Sequence, residues 1–360
     1  MRFAKSNKLS AGALENVRRQ RVHSIPHFYG SFTDGAGATH PYAMVGGDPK
    51  RGGTTHVHTS VLPVSLIFDE FADANGNPLV IHVGPVVQPF ATSPNFLNAP
   101  YGTGNTQFSD AVQRAEFWNV MGDGWHTMLE RPRMLKEITM EIPVGAAKVF
   151  QLSGGGELFT LLDANFFISQ FTTIQQLADF RIDELPVMIT SNVGLSFDLD
   201  PSHGFIGGFH YAWDANDPLG TGDPGQASDV QTFAWASYID PLTFPGSGFA
   251  DVTGLSHEIA EWMNDPFIDN ATENWAFPGT GGQQCQNNLE TGDPVEVLAN
   301  SSFPVTLHGQ TYHPQTEALL QWFSQEVPSS AFQGAYSYPD TTALPGPAEN
   351  CSAPAPDAGQ

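Results

Sequence analysis

Lys and Arg are absent from the chain after Arg181. From Ile182 to Gln360 there are 23 Asp and Glu residues. The formal net charge of the whole chain is -24 at pH 7, which argues against binding to nucleic acid or to an anionic membrane surface. Buried carboxylates in this part of the chain would lack local basic partners, so we expect a metal cation to balance them.

Other absences narrow the class of protein further. No run of 18 apolar residues is present, which excludes a transmembrane helix, and no apolar segment follows the basic N-terminal residues, so no secretory signal is visible. A Gly-rich phosphate loop, a Cys-x-x-Cys pair and a nucleophile elbow are missing too. The only two cysteines, Cys285 and Cys351, leave two alternatives open: a disulfide that ties down the C-terminal tail, or two separate thiols.

The composition predicts a globular protein rich in turns and strands. Hydrophobic residues make up 40% and aromatic residues 11% of the 360 residues, with 36 Gly and 28 Pro. We predict an α+β fold in four segments: a basic arm (1–25), a β-rich N-terminal subdomain (26–153), a larger domain of mixed sheet and helix (154–343) and a disordered tail (344–360). The break at Gly154-Gly155-Gly156 sets the middle boundary.

Local patterns predict several individual elements. The predicted strands are Val61–Phe68, Leu185–Leu195, Phe205–Trp213 and Thr232–Ile239, and the predicted helices are Asp110–Asn119, Leu158–Phe171, the segment from Thr253 to Asp265, and Gln315–Gln325. Asp251 or Thr253 can cap the third helix, and Pro266 should stop it. Asn75-Gly76 indicates a hairpin turn. Its neighbouring Asp and Asn oxygens suggest calcium as an additional structural ion, although a plain turn is favoured.

The sequence His257-Glu258-Ile259-Ala260-Glu261 carries the chemistry. His257 and Glu261 are four residues apart, so on a helix they share one face and can hold one ion. Glu258 projects a quarter-turn away, where it can act as general base on a water bound to that ion. A zinc hydrolase needs a third protein ligand; we favour Glu290, with Asp293 as the alternative, the other orienting a ligand.

His313 lies ahead of the last predicted helix, where it can donate to a developing oxyanion. The competing interpretation is that His313 lies at the surface or has its hydrogen bonds satisfied in the core.

The motif from His257 to Glu261 is only five residues long and can occur by chance. The alternative to a metal site is a solvated acidic helix face that happens to carry a His. Two carboxylates and one His also leave a zinc site formally neutral, so a structural or calcium-like site stays open.

Three segments carry a resemblance to a known group of proteins. Ser256 to Pro266 reads Ser-His-Glu-Ile-Ala-Glu-Trp-Met-Asn-Asp-Pro, Leu289 to Asp293 reads Leu-Glu-Thr-Gly-Asp, and Tyr312 to Gln315 reads Tyr-His-Pro-Gln. Together they resemble secreted bacterial zincin-like proteins with a His-Glu-x-x-Glu motif and, more distantly, plant phosphate-induced, exordium-type extracellular proteins. The resemblance implies a zincin-like metalloprotease domain, export from the cytoplasm, and a metal at His257, Glu261 and the Glu290/Asp293 cluster.

Three functions remain open from the sequence. The leading hypothesis is a secreted zinc-dependent peptidase that acts on a peptide or protein substrate, with Thr232–Ile239 as the edge strand to which the substrate adds. The alternative is a non-catalytic extracellular or wall-associated binding protein that keeps a structural metal. A third is a metal hydrolase that acts on a non-peptide amide or ester. None of the three involves nucleic acid or a membrane.

Overall fold

The computed structural model describes residues 24–151, 157–171, 173–174, 178–216, 227, 229–281, 285–299 and 301–352. Its fold is α+β, with 18% helix, 39% strand and a mixed sheet. The predicted α+β class is therefore confirmed. Residues 1–23 of the predicted basic arm, the triple-glycine break and residues 353–360 lie outside the described residues.

Short strands dominate the chain. They are β1 (His27–Thr33), β2 (Thr39–Val45), β3 (Thr54–Ala72), β4 (Pro78–Ile81), β5 (Ala99–Tyr101), β6 (Gly104–Thr106), β7 (His126–Leu129), β8 (Arg133–Met134), β9 (Ile138–Ile142), β10 (Ala147–Phe150), β11 (Phe159–Asp163), β12 (Glu184–Ser191), β13 (Val193–Ser196), β14 (Gly208–Asp214), β15 (Val230–Tyr238), β16 (Ala271–Ala276), β17 (Cys285–Asn288), β18 (Val305–Leu307), β19 (Gln310–Tyr312), β20 (Glu317–Ala318) and β21 (Ser337–Tyr338).

Within the described residues the α-helices are few and short. They are α1 (Gly84–Ala91), α2 (Phe108–Glu116), α3 (Ala164–Ser169), α4 (Thr253–Asn264), α5 (Asp293–Glu296) and α6 (Leu320–Phe323), and 3-10 helices occur at Pro49–Arg51, Pro201–His203 and Phe332–Gly334. The longest of these helices, α4, has 12 residues. Across the described ranges, no helix has the length and apolar character needed to cross a bilayer.

A mixed sheet of eight strands forms the centre of the fold. Its main path is β14-β15-β12-β3-β4, and β7, β8 and β9 pair in turn with β3. Strand β12 runs parallel to both β3 and β15, whereas β14 is antiparallel to β15. The middle of β3, residues 59–66, is buried at every position. Burial on both faces explains why apolar residues follow one another from Val61 to Val64 and do not alternate with exposed polar ones.

The boundary predicted near residue 153 does not divide this sheet. Strand β3, from the first predicted segment, pairs with β12, from the second, between the His58↔Glu184 and Pro63↔Ile189 pairs. Strand pairing between distant segments has no local sequence pattern, so composition alone could not reveal it.

Helix α4 carries the His257 motif and packs against the sheet. Leu255, Ile259 and Met263 belong to the same buried cluster as residues of β12 and β15. The Trp262 indole nitrogen donates to the Thr232 hydroxyl at 2.9 Å, which ties the helix to β15. All twelve residues of the helix are buried, so its polar side chains must find partners inside the protein.

The edge strand differs from the prediction. The segment Thr232–Ile239 largely forms β15, but β15 is internal because β12 pairs on one side and β14 on the other. Strand β14 ends the order of the sheet. The predicted strand is therefore confirmed, while its predicted position at the edge is wrong.

Tertiary contacts change three of the predicted helices. The stretch predicted as a helix from Leu158 forms β11 followed by α3, and the stretch from Gln315 forms β20 followed by the single turn of α6. Helix α2 begins at Phe108, not at Asp110. The Asp110 carboxylate does not cap the helix; it accepts hydrogen bonds from the Thr127 backbone N–H and the Thr106 hydroxyl.

The predicted hairpin turn joins β3 to β4. Gly76 has a φ of 81°, a left-handed conformation that favours glycine. The Asp73 carboxylate accepts hydrogen bonds from the backbone of Asn75 and Asn77 and from the Asn77 side chain. Its oxygens stabilise the turn itself, which agrees with the plain-turn interpretation over the calcium one.

The C-terminal tail is ordered further than predicted. Leu344 and Ala348 are buried in an aromatic cluster, and Asn350 forms a β-bridge with Trp275. A disulfide joins Cys285 to Cys351, which resolves the two alternatives for the cysteines. Because these contacts hold the chain up to Ser352, the prediction of disorder from residue 344 is wrong for residues 344–352.

Candidate metal centre

His257 and Glu261 meet as their helical spacing predicts. The Nε2 atom of His257 lies 3.1 Å from Glu261 Oε1 and 3.6 Å from Asp293 Oδ1. Ligand atoms about 2.1 Å from a tetrahedral zinc ion lie about 3.4 Å from one another. The three side chains can therefore hold a metal ion, and their donor atoms all lie within 4.8 Å of each other.

A tight loop brings Asp293 to the helix. The Gly292 and Asp293 backbone N–H groups both donate to Glu261 Oε1, at 3.0 and 3.3 Å. A Cβ atom at Gly292 would lie 2.5 Å from His257 Nδ1, so only glycine permits this approach of the backbone to the imidazole. The Gln286 side chain then fixes Asp293 by donating to Oδ2 at 2.6 Å.

Glu290, the favoured third ligand from sequence, occupies a different position from Asp293. Its Oε2 atom lies 3.9 Å from Nε2 of His210, and its Oε1 atom accepts a hydrogen bond from the Asn288 side chain at 2.6 Å. Asp293 forms a group with His257 and Glu261, whereas Glu290 contacts Glu261 and lies near His210 without joining that group. Glu290 is nevertheless part of the same buried cluster, where it can orient a ligand.

His210 is a member of the cluster for which the sequence predicted no definite role. It lies on β14, and its Nδ1 atom is 3.4 Å from Glu258 Oε2 and 3.6 Å from Glu261 Oε2. The three side chains form a second buried group that can hold a metal ion. Two residues earlier, Gly208 lets Glu258 approach the strand, because a Cβ atom there would lie 2.6 Å from Glu258 Cγ. This glycine, on the same strand face as His210, is the only sequence signal that could have pointed to the contact.

His313 is not brought to the cluster. Its Nδ1 atom lies 2.6 Å from Asp251 Oδ2, its backbone N–H donates to Asp251 Oδ1, and its carbonyl accepts from the Thr253 hydroxyl. These contacts fasten the chain to the N-terminal end of α4. The predicted role of His313 as oxyanion donor therefore has no support in the described contacts.

Gln315 contacts the face of His257 away from the carboxylates. Its amide nitrogen donates to the Gly292 carbonyl at 2.7 Å and lies 3.1 Å from His257 Nδ1. This arrangement matches a proton on Nε2 of His257, shared with Glu261. A metal ion on Nε2 requires the proton to sit on Nδ1, so Gln315 would have to turn its amide oxygen to the ring and give up the Gly292 bond.

Negative charge dominates the electrostatics of the cluster. Burial raises the pKa of Glu290 to about 8, and it also raises the pKa values of Asp293 and Glu317 well above their usual range. Burial alone would lower the pKa of His210, but the nearby carboxylates of Glu290, Glu258 and Glu261 raise it to about 10. These directions are the expected consequence of buried carboxylates that have only two imidazoles for partners, and a bound cation would relieve them.

Solvent reaches the cluster mainly at one side. The Asp293 side chain is 21% exposed, whereas those of Glu258 and Glu261 are 6% and 4% exposed. A cavity of about 470 Å³ lies elsewhere, and its lining includes Phe28, Tyr42, Glu116 and Gln321 but no residue of the cluster. The candidate metal centre is thus a nearly closed site and not the floor of that cavity.

Glu116, in the wall of the separate cavity, predicts a pH dependence of stability. Burial raises its pKa from 4.5 to about 8, opposed by a hydrogen bond from Leu320 N. As pH rises between these values the unfolded carboxyl ionises first, so the folded state loses stability. Glu116→Gln should remove this cost and stabilise the protein by on the order of 4 kcal/mol at pH 9, with little effect below pH 4.5. Urea unfolding across this pH range measures it.

The matched control is Glu141→Gln, the same change at an exposed position of β9. It should leave the free energy of unfolding within about 0.5 kcal/mol of the parent at each pH. Equal stabilisation by both variants, or none by Glu116→Gln at pH 9, would contradict the assignment.

Comparisons with protein-family models, with curated proteins and with solved structures find no match to this chain. The resemblance to zincin-like proteins therefore stays a prediction. Any functional proposal has to rest on the geometry of the metal centre.

Proposed function

We propose that the protein is a zinc-dependent peptidase that works outside the cytoplasm. The observation that carries the proposal is the convergence of His257, Glu261 and Asp293 within 4.8 Å, from a helix and a loop that are distant in sequence. One imidazole and two carboxylates suit zinc, with a further position left for water. Peptide hydrolysis then follows from the acid–base group beside this site.

Zinc bound here would lower the pKa of its water to about 7. Glu258 is next to that position, since its Oε1 atom lies 4.0 Å from His257 Nε2. Its carboxylate would accept the proton of the water and pass it to the leaving amine. The Gly292 loop and Gln315 would hold the His257 ring in place through contacts on its other side.

Strand β14 is the best candidate for substrate binding. It ends the central sheet and is antiparallel to β15, so an extended peptide can add to it as a further strand. His210, on this strand, lies 3.4 Å from Glu258. A peptide along β14 would therefore pass close to the proposed base.

Two further observations support an extracytoplasmic location. The Cys285–Cys351 disulfide is of the kind that persists in oxidising compartments, and the net charge of -24 suits a solvent-exposed protein. Both agree with the export that the sequence resemblance implies.

Glu258→Gln tests the enzyme proposal. The variant keeps the size of the side chain but removes the base, so hydrolysis of a broad peptide library should fall by at least about 100-fold. His257, Glu261 and Asp293 are untouched, so at least one equivalent of zinc should remain by elemental analysis. The control Glu141→Gln makes the same change at an exposed residue of β9 and should keep full activity. Equal inactivity of the parent and the variant would end the enzyme proposal.

The low exposure of the cluster favours a second candidate, a binding protein with a structural metal. His257, Glu258 and Glu261 are 8%, 5% and 3% exposed, as in a closed site that clips a loop to a helix. This candidate predicts a parent protein that cleaves no peptide but loses thermal stability when a chelator removes the metal. The peptidase proposal predicts that a chelator abolishes peptide hydrolysis and lowers thermal stability together.

A further inference from the structure

The two halves of the Glu261 carboxylate face different groups. Oε1 lies 3.1 Å from His257 Nε2, whereas Oε2 lies 3.6 Å from His210 Nδ1. A carboxylate with one oxygen on each of two donor sets is placed to bridge two metal ions. In two-metal sites the ions are about 3.5–4 Å apart, a separation that one carboxylate spans.

The group around His210 has the spacing of a metal site in its own right. His210 Nδ1 lies 3.4 Å from Glu258 Oε2 and 3.6 Å from Glu261 Oε2. Both distances are close to the separation of about 3.4 Å expected between ligands of one tetrahedral ion. These donor atoms also lie within 4.8 Å of one another, as those of the first site do.

The other nitrogen of His210 provides an independent observation. His210 is only 5% exposed, and its Nε2 atom is buried without a hydrogen-bond partner among the described residues. Glu290 Oε2 lies 3.9 Å from this nitrogen, beyond hydrogen-bond distance. A metal ion on Nδ1 would fix the proton on Nε2, where a small movement gives the carboxylate–histidine–metal arrangement common to metal-binding imidazoles.

The charge of the cluster also exceeds what one ion balances. Six buried or nearly buried carboxylates surround the two imidazoles, namely Glu258, Glu261, Asp265, Glu290, Asp293 and Glu317. With all six ionised and both imidazoles neutral, one divalent ion leaves four negative charges uncompensated, and two ions leave two. Uncompensated buried charge is costly, so a second cation at this place has a clear electrostatic reason.

We propose that the centre holds a second divalent metal ion between His210, Glu258 and Glu261, with Glu261 bridging it to the first. The inference rests on the metal centre proposed above but not on peptidase activity. Glu258 would give Oε2 to the second ion, while Oε1 stays directed to the first site. The competing state is a protonated His210 that serves as the internal cation in place of a metal.

Metal stoichiometry tests the proposal without an activity assay. The metal-free full-length protein would be dialysed against Zn²⁺ and analysed for zinc per chain. We expect two equivalents in the parent and one in His210→Gln, which keeps a polar side chain of similar size. The control is His40→Gln, which changes a separate His and carboxylate group of Asp34, His40 and Glu273 that could also hold an ion. This control should keep both zinc equivalents. Circular dichroism would verify that each variant is folded.

X-ray absorption at the zinc edge gives a second readout that needs no variant. Two bridged ions should produce metal–metal scattering at about 3.5–4 Å in the parent. One equivalent in the parent that survives His210→Gln would overturn the second ion and leave the peptidase proposal intact. One equivalent that His210→Gln removes would also overturn the second ion, and two equivalents that it does not change would overturn the placement of that ion at His210. Zero equivalents would overturn both proposals.

Discussion

Replacing His257 by Ala should weaken zinc binding at the first site by more than about 100-fold, the upper range seen when only the residues behind a metal ligand are changed. The substitution removes the only nitrogen of that site and leaves Glu261 and Asp293 to repel each other. Hydrolysis should fall to background at the same time. Equilibrium dialysis with zinc, together with the peptide-library assay, measures both effects.

Thermal unfolding provides a check on the same substitution. An ion that binds only the folded state stabilises it in proportion to the logarithm of its concentration, so the Tm of the parent should rise with zinc. That rise should shrink in His257→Ala and stay intact in His126→Ala, which removes a hydrogen-bonded imidazole outside the centre. An unchanged zinc response in His257→Ala would show that the first site is not the one described.

The sequence predicted the parts of the centre that depend on local geometry. His257 and Glu261 are one helical turn apart, and α4 ends at Asn264, ahead of Pro266, as predicted. Such a pair needs no tertiary information, because the helical repeat alone puts both side chains on one face. The predicted cap by Asp251 or Thr253 is wrong, because Val252 takes the cap position and no side chain caps the helix. The sequence also predicted that the downstream acidic cluster of Glu290 and Asp293 takes part in the site. Asp293 does lie with His257 and Glu261.

What the sequence could not decide depends on contacts between distant segments. Asp293 and not Glu290 joins His257 because Gly292 lies against the His257 ring. The spacing of residues along the chain cannot predict this contact. The role of His210 follows from β14 passing beside α4, which requires the order of strands in the sheet. Both are consequences of the fold and not of the motif.

Metal binding and catalysis place different requirements on this cluster. The proposal of metal binding rests on charge and geometry, because the carboxylates around His257 and His210 are buried in a part of the chain without Lys or Arg. Catalysis requires in addition that water and a peptide reach Glu258, which is only 5% exposed. A peptide bound along β14 would therefore have to reach Glu258 from the side of Asp293, whose side chain is 21% exposed to solvent.

Replacing Cys285 and Cys351 by Ser should lower the free energy of unfolding by about 4 kcal/mol, the loop-closure value for a bridge across 66 residues. The bridge holds the tail against β16, and β17, which begins at Cys285, leads directly into the loop that carries Asp293. Zinc affinity should therefore fall as well, although every metal ligand is retained. Urea unfolding and zinc titration of the double variant measure the two effects, and reduction of the parent should reproduce both. If stability is unchanged while zinc affinity falls, the bridge acts only on the loop and not on the unfolded chain.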